Sequence, residues 1–322
     1  MLTTTWERGK LVPEIKKQLW RVDMLLQLNN NREAVNSLRH NGYGDADFEV
    51  KKKALLVLDE TKVGWDKFNV FRNKKALVRT DTEENIAIVS DRYKALQFTT
   101  MIDKSRDMIE RCNLDATGVT EQIQVSPNSG MCLVNYTLPA KEYKTPDGDT
   151  GCVTVMALSS HDGKWKFELR IGFRQSACLN GQIFAKNPAN IYQSRHNATL
   201  DIDRAINLLG KTANVIEDEI ELWHDWHGQE VSNAEVLKTI EGTVGEVNDG
   251  KNKNFLYILN KFVHHYAPTM GKNKWALYNA LTDWSTHAPT RSKNKITLTF
   301  NKDRAEKVQK TLQDNFMVAQ AA

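Results

Sequence analysis

The sequence predicts an α+β fold: a central antiparallel β-meander packed on flanking helices, with helical N- and C-terminal regions. Three observations predict it. Between Val119 and Arg174, four short runs alternate apolar and polar side chains between polar turns, the period-2 pattern of half-buried strands. Helical apolar spacing flanks this stretch, at Met101, Ile102, Met108, Ile109 and Cys112 before it and at Ile202, Ala205, Ile206, Leu209, Ile216, Ile220 and Trp223 after it. No Pro/Gly-rich linker, internal repeat or low-complexity tract divides the chain.

Residues 1–75 read as a mostly helical N-terminal region, with Ile15, Leu19, Val22, Leu25 and Leu26 at helical spacing and a break at Asn41-Gly42-Tyr43-Gly44. Lys75–Arg79 and Ile86–Val89 read as two short strands around a polar turn. The α+β core is expected over 76–230. Its meander strands are Val119–Ser126, Met131–Pro139, Cys152–Ser159 and Trp165–Arg174. The Asp162-Gly163 pair marks a tight hairpin before the fourth strand. On that strand Trp165, Phe167, Leu169, Ile171 and Phe173 are expected to face the helices, with Trp165 in the core. Lys166, Glu168, Arg170 and Arg174 are expected to face outward. Residues 231–322 read as a mostly helical C-terminal region with a strand candidate at Lys295–Phe300 and a basic tail.

The chain has 322 residues, 40% of them hydrophobic and 26% charged, the balance of an ordinary globular protein. Nothing approaches the ~18 consecutive apolar residues of a membrane span, and Met1–Lys17 lacks the apolar stretch of a secretory signal. No membrane role and a cytoplasmic location are expected. None of the four cysteines, Cys112, Cys132, Cys152 and Cys178, forms a C-x-x-C pair, so they read as buried reduced thiols. The net charge of +4 is weak, but its distribution is polarised. Residues 201–250 hold twelve acidic side chains against three basic ones, and residues 266–322 hold nine basic against four acidic.

Catalytic patterns are missing. The Gly-x-x-x-x-Gly-Lys and Gly-x-Gly-x-x-Gly loops do not occur, and no cofactor is expected. Ser160-His161-Asp162 carries triad residue types, but contiguity on a hairpin is the wrong geometry. His224 and His227 lie three apart on a helical stretch, and His264-His265 offers further ligands, yet no Glu base accompanies them; no metal site is assigned. What remains is binding chemistry. Cations on alternate strand residues recur at about 7 Å, near the pitch of an extended nucleic-acid backbone. The candidate nucleic-acid-binding residues are Lys164, Lys166, Arg170, Arg174, Lys186, Tyr192 and Arg195, with Tyr192 and Phe184 as stacking partners.

Arg79-Thr80-Asp81-Thr82 with Val89-Ser90-Asp91-Arg92-Tyr93, Ser160-His161-Asp162-Gly163 with Arg174-Gln175-Ser176-Ala177-Cys178-Leu179-Asn180, Arg195-His196-Asn197-Ala198, and Trp275–Thr282 together resemble a family of phage/plasmid-like proteins that share a domain of unknown function. The resemblance covers roughly 75–290. The chain departs from the family pattern at Glu83-Glu84, where Gly is usual, and at Gly172-Phe173, where Pro-Val is usual. The resemblance implies a phage, plasmid or prophage origin, hence a host cytoplasm. A more distant topological similarity, to phage annealing proteins of the Red-beta, RecT and Erf kind, implies a groove for single-stranded DNA and a homo-oligomeric ring or filament. The expected function is therefore a phage-encoded, single-stranded DNA-binding, annealing-type recombination protein. The alternatives are a non-enzymatic phage structural or host-interaction protein and, third, a metal-dependent enzyme using His224 and His227.

Overall fold

A computed structural model describes residues 13–58, 60–64, 68–112, 114–175, 181–182, 192–194, 201–210, 212–246, 252–289 and 302–317. The architecture is α+β, with two antiparallel sheets and helices on them. Helix α1 (Pro13–His40) leads to a small three-stranded sheet, β1 (Val50–Leu58), β2 (Phe68–Arg79) and β3 (Asn85–Ser90), in the order β1-β2-β3. Residues 50–58 and 68–75 are thus strand and not part of a helical region. Gly42 and Gly44, at φ 70° and 53°, end the helix where a side chain would resist the left-handed backbone. The apolar run Leu55–Leu58 is short enough to serve either structure, and pairing with β2 decides it.

Helix α2 (Phe98–Arg111) precedes the central sheet, β4 (Thr120–Val125), β5 (Met131–Lys144), β6 (Thr150–Ser160) and β7 (Phe167–Gln175), an antiparallel meander in sequence order. Two short strands, β8 (Gly181–Gln182) and β9 (Tyr192–Ser194), both pair with β7. The hairpin at Asp162-Gly163 forms with Gly163 at φ 76°, a value glycine adopts at little cost. Gly151 has a different duty: a Cβ there would stand 2.4 Å from the Phe173 ring and 2.5 Å from the Arg174 carbonyl, so only glycine admits this close strand approach.

Register assigns the two faces of the meander. Val134, Val155, Ile171 and their neighbours Cys132, Tyr136, Ala157, Phe167, Leu169 and Phe173 share one face and are buried. Helix α2 covers part of it with Phe98, Met101, Ile102 and Ile109. Also on that face, Glu121 of β4 accepts two hydrogen bonds from Arg106 of α2, at 2.9 and 2.7 Å. Aromatic stacking extends the same core. The ring of Phe173 meets Trp223 edge-on at 5.2 Å, and Trp223 lies 5.4 Å from Trp275 and 5.9 Å from Tyr278. Trp223 belongs to α4 (Thr212–His227), which follows α3 (Ile202–Gly210). The chain continues through α5 (Asn233–Val244), α6 (Lys253–Lys261), a π-turn (Phe262–Tyr266), α7 (Ala267–Met270), α8 (Lys274–His287) and α9 (Lys302–Asn315). The strand expected at Lys295–Phe300 lies outside the described residues.

The opposite face holds Met131, Leu133, Asn135, Met156, Leu158, Glu168 and Arg170 by register. It is not an open charged surface. Met131, Leu133 and Leu158 form a second, smaller apolar cluster with Ala305 of α9. Trp165 packs half-buried against this cluster instead of following Phe167 into the main core, because β7 begins only at Phe167. Among the described residues, no helix is long and apolar enough to cross a membrane.

Candidate nucleic-acid interface

Of the seven candidate residues, the structure describes Lys164, Lys166, Arg170, Arg174 and Tyr192, and it does not bring these five together on one exposed face. Lys164 and Lys166 are exposed at the β6–β7 hairpin, and the Lys164 ammonium stands 2.8 Å from an Asp162 carboxylate oxygen. Arg170, expected to face outward, is buried. Its Nε and Nη2 donate to Glu168 Oε2 at 3.1 and 2.9 Å, and Nη2 also donates to Glu306 of α9 at 2.9 Å. Glu168 is equally buried. A charge withdrawn from water needs such partners, and a helix some 130 residues downstream supplies one of them.

Arg174 is half-buried and sits opposite Cys152 in the β6–β7 register. Burial pushes the Cys152 thiol up, and the Arg174 guanidinium partly counters this. Tyr192 is buried too, its ring edge-on to Phe167 at 6.0 Å and its hydroxyl accepting from the Asp201 backbone N–H at 2.8 Å. That ring is packed in the core, not presented for stacking on a base. Lys186, Arg195 and Phe184 lie outside the described residues.

Sequence reasoning did not join two other segments that the fold brings to the hairpin end of the central sheet. Arg79, at the end of β2, forks onto Asp81 through Nε at 3.0 Å and Nη2 at 2.6 Å, and its Nη1 donates to Ser129 Oγ at 2.7 Å. Those hydrogen bonds hold the exposed Asp81 carboxyl down at about 2. The Arg79 guanidinium also lies 4.0 Å over the Phe48 ring. Ser129 is in the β4–β5 turn, whose Gly130 carbonyl accepts from the His161 backbone N–H at 2.7 Å. His161 is fully buried, stacks on Phe98 and donates through Nε2 to the Leu96 carbonyl at 2.8 Å. Tyr93 completes the junction by donating to the Ser160 carbonyl at 3.1 Å. Burial, with Asp162 nearby, raises its hydroxyl to about 12.

The segments Arg79–Thr82, Asp91–Tyr93 and Ser160–Gly163 therefore meet in space although they span more than 80 residues of chain. Their joint could have been suspected from motif composition, but nothing in spacing reveals it.

This junction is structural in its chemistry. Ser160 Oγ accepts from the Trp165 backbone N–H at 2.7 Å, and no Ser-His relay forms between neighbours. Close to it, β1 contributes the exposed run Lys51, Lys52 and Lys53. Lys52 donates to the Asp91 carbonyl at 2.7 Å, Lys53 pairs with Glu83, and Lys51 stands 3.4 Å from Glu49. Lys164 and Lys166 are exposed on the hairpin that Tyr93 joins to the same segment. His224 and His227 are exposed at the end of α4, and among the described residues no group of three His, Cys, Asp or Glu side chains is placed to hold a metal ion.

Three comparisons with known proteins complete the description. One protein-family model, "Domain of unknown function (DUF932)", matches residues 85–311. No curated protein matches, and no solved structure matches.

Proposed function

The chain belongs to the DUF932 family of domains of unknown function, and from that premise we propose that it binds single-stranded DNA and acts as an annealing-type recombination protein, encoded by a phage, working as a homo-oligomer in the host cytoplasm. One observation carries the proposal: exposed lysines stand on β1 and on the β6–β7 hairpin, the two elements that the Asp91–Tyr93 segment joins through Lys52 and the Ser160 carbonyl. Lys51, Lys52, Lys53, Lys164 and Lys166 are all exposed there, and cations so arranged suit a phosphate backbone. The buried ion pair of Arg170 removes that residue from the binding surface and leaves it a structural part.

Fluorescence anisotropy with a single-stranded oligonucleotide tests this. Binding should weaken steeply with salt, and Lys164→Glu with Lys166→Glu should weaken it further while leaving the fold intact. Binding absent at low salt, or present without salt dependence, overturns the proposal. The annealing step is read separately, by the rate at which two complementary strands pair in the presence of the protein.

A second reading, an assembly protein without a nucleic-acid role, is favoured by the apolar side chains that β1 and β2 leave exposed. Salt-dependent binding of DNA by the wild type but not by the lysine variant decides against it.

A further inference from the structure

We propose that Phe71, Arg72 and Lys74 on β2 form a binding site for an unpaired nucleobase and its flanking phosphates, in which the Phe71 ring stacks on the base. The inference rests on the single-stranded DNA-binding part of the proposed function, and it names the aromatic residue that this reading requires.

Recognition of a single strand combines two chemistries: cations follow the phosphates, and aromatic rings take the bases. The exposed lysines supply only the first. Tyr192 does not supply the second, since its ring is 5% exposed and packed on Phe167. Phe71 does. It is 46% exposed, and among the described residues no other Phe, Tyr or Trp side chain is as open to solvent. A ring of that size left in water forgoes the burial that ordinarily stabilises it, and every nucleobase offers a flat face to cover it.

The backbone around Phe71 explains why the ring is not turned into the core. Ala54 pairs with Lys75, but the next pair is Leu56 with Val70, so Phe71–Lys74 lie opposite Leu55 alone. Extra residues of this kind bend a strand and re-aim its side chains. On the regular part of the sheet, Val50, Leu77 and Val89 share one face and join the main core. The other face carries Lys53, Ala76 and Ile88 in one row, with Lys74 and Ser90 in the next. Lys53, Lys74 and Ile88 are exposed, Ile88 at 55%, so this face meets solvent.

Charge selects the occupant. Phe71 is followed by Arg72-Asn73-Lys74, and Arg72 and Lys74 are both exposed. Residues two apart on a strand stand about 7 Å apart, near the pitch of an extended nucleic-acid backbone. Elsewhere on this sheet Lys51 stands 3.4 Å from Glu49, Lys53 pairs with Glu83 and Arg79 with Asp81, whereas Arg72 and Lys74 meet no carboxylate among the described residues. Two uncompensated cations beside an exposed ring fit a polyanion that carries flat apolar groups. An aliphatic protein surface would cover the ring and leave both charges unanswered.

Fluorescence anisotropy of the full chain with two labelled oligonucleotides of equal length tests the site, one made of thymidines and one of abasic deoxyribose phosphates. Phe71→Ala should bind the thymidine strand about tenfold more weakly than wild type and the abasic strand as wild type does. Phe71→Trp should keep the thymidine affinity, and Phe71→Leu, which retains apolar bulk without an aromatic face, should lose it as alanine does. Arg72→Ala/Lys74→Ala should weaken both strands alike and lower the slope of log affinity against log salt by about 1.4, at about 0.7 for each phosphate. Unchanged thymidine affinity in Phe71→Ala, equal losses on both strands, or an unchanged salt slope in the double variant overturns the inference. Should Phe71→Ala not fold, Phe71→Leu decides by the same comparison. Wild type that binds neither strand overturns the DNA-binding reading and this inference with it, whereas wild type that binds both and is matched by Phe71→Ala overturns this inference alone. Light scattering without DNA covers the other occupant: a wild-type dimer that Phe71→Ala dissolves, with thymidine affinity kept, assigns the ring to a second copy and overturns the inference.

Discussion

The imidazole of His161 lies flat on the ring of Phe98, 3.9 Å between centroids and 4° between planes. Phe98 opens α2 and His161 opens the β6–β7 hairpin, so this stacking clamps the hairpin to the helix that covers the sheet. Both rings are fully buried. Phe98→Ala should cost about 3–5 kcal/mol, the usual loss for a large buried aromatic, measured by urea unfolding. Phe98→Leu should cost clearly less. Equal losses would mean that the ring face itself contributes little to the clamp.

Arg106 and Glu121 form a buried ion pair at 2.7 Å, with side chains 1% and 4% exposed. Removing one partner strands a charge in the core, which costs about 3–5 kcal/mol, whereas replacing both by apolar residues of similar volume is often close to neutral. Arg106→Met and Glu121→Met should each destabilise by that amount, and the double variant should recover most of the loss. A strictly additive double variant would show that the two side chains do not depend on each other.

Much of this fold was legible in the sequence, for a physical reason. The meander announces itself because each strand alternates and each turn carries its own signal, as with Val153, Val155 and Ala157 on β6 and Asp162-Gly163 beyond it. The cover on the second face was not legible. Whether Glu168 and Arg170 meet water depends on where α9 docks, and no local pattern on β7 encodes the position of Glu306. The strand β1 was not legible for a related reason: Leu55–Leu58 is an unbroken apolar run, whose period settles only when a partner strand arrives. The candidate site divided accordingly. Lys164 and Lys166 are exposed as hairpin residues generally are, while Arg170 and Tyr192 were claimed by long-range packing.

That division gives contrasting outcomes on one strand. Arg170→Ala leaves Glu168 buried without its cation, so the expected result is a loss of about 3–5 kcal/mol of stability with α9 loosened from the sheet. Lys166→Glu should leave the unfolding midpoint unchanged and reduce single-stranded DNA affinity. It should also lower the slope of log affinity against log salt by about 0.7 for each phosphate that the protein no longer neutralises. A stable Arg170→Ala protein with weakened DNA binding would reverse these assignments.

The cysteines offer a test of burial that needs no ligand. Desolvation raises the Cys112 thiol to about 11 and the Cys132 thiol higher still, and the thiolate is the reactive form. At neutral pH a thiol reagent should leave both unmodified in the folded protein and modify both after unfolding in denaturant, as read by mass spectrometry of the labelled peptides. Rapid labelling of Cys132 in the native state would contradict its place between β4 and β6.

Acid should lower the stability of the molecule through its carboxylates that face arginine. Arg79 holds Asp81 at about 2. Burial pushes Glu110 up, but hydrogen bonds from Arg32 at 3.1 Å and Arg39 at 2.9 Å outweigh it and leave the carboxyl below its ordinary value. Both folded-state values are depressed relative to an unfolded chain, where carboxyls titrate at about 4. The stability they contribute is therefore fully present above about pH 4 and is lost as pH falls through the folded values, which for Asp81 is about 2. Between those limits the unfolded chain binds protons that the native state refuses, so the denaturant midpoint should fall with pH. Asp81→Asn removes one such group, and its midpoint should fall less steeply over the same window while matching the wild-type slope above about pH 5. An unchanged slope would mean that the Arg79–Asp81 fork does not persist in solution, and the junction it anchors at Ser129 would then have to be held by Phe48 and His161 alone.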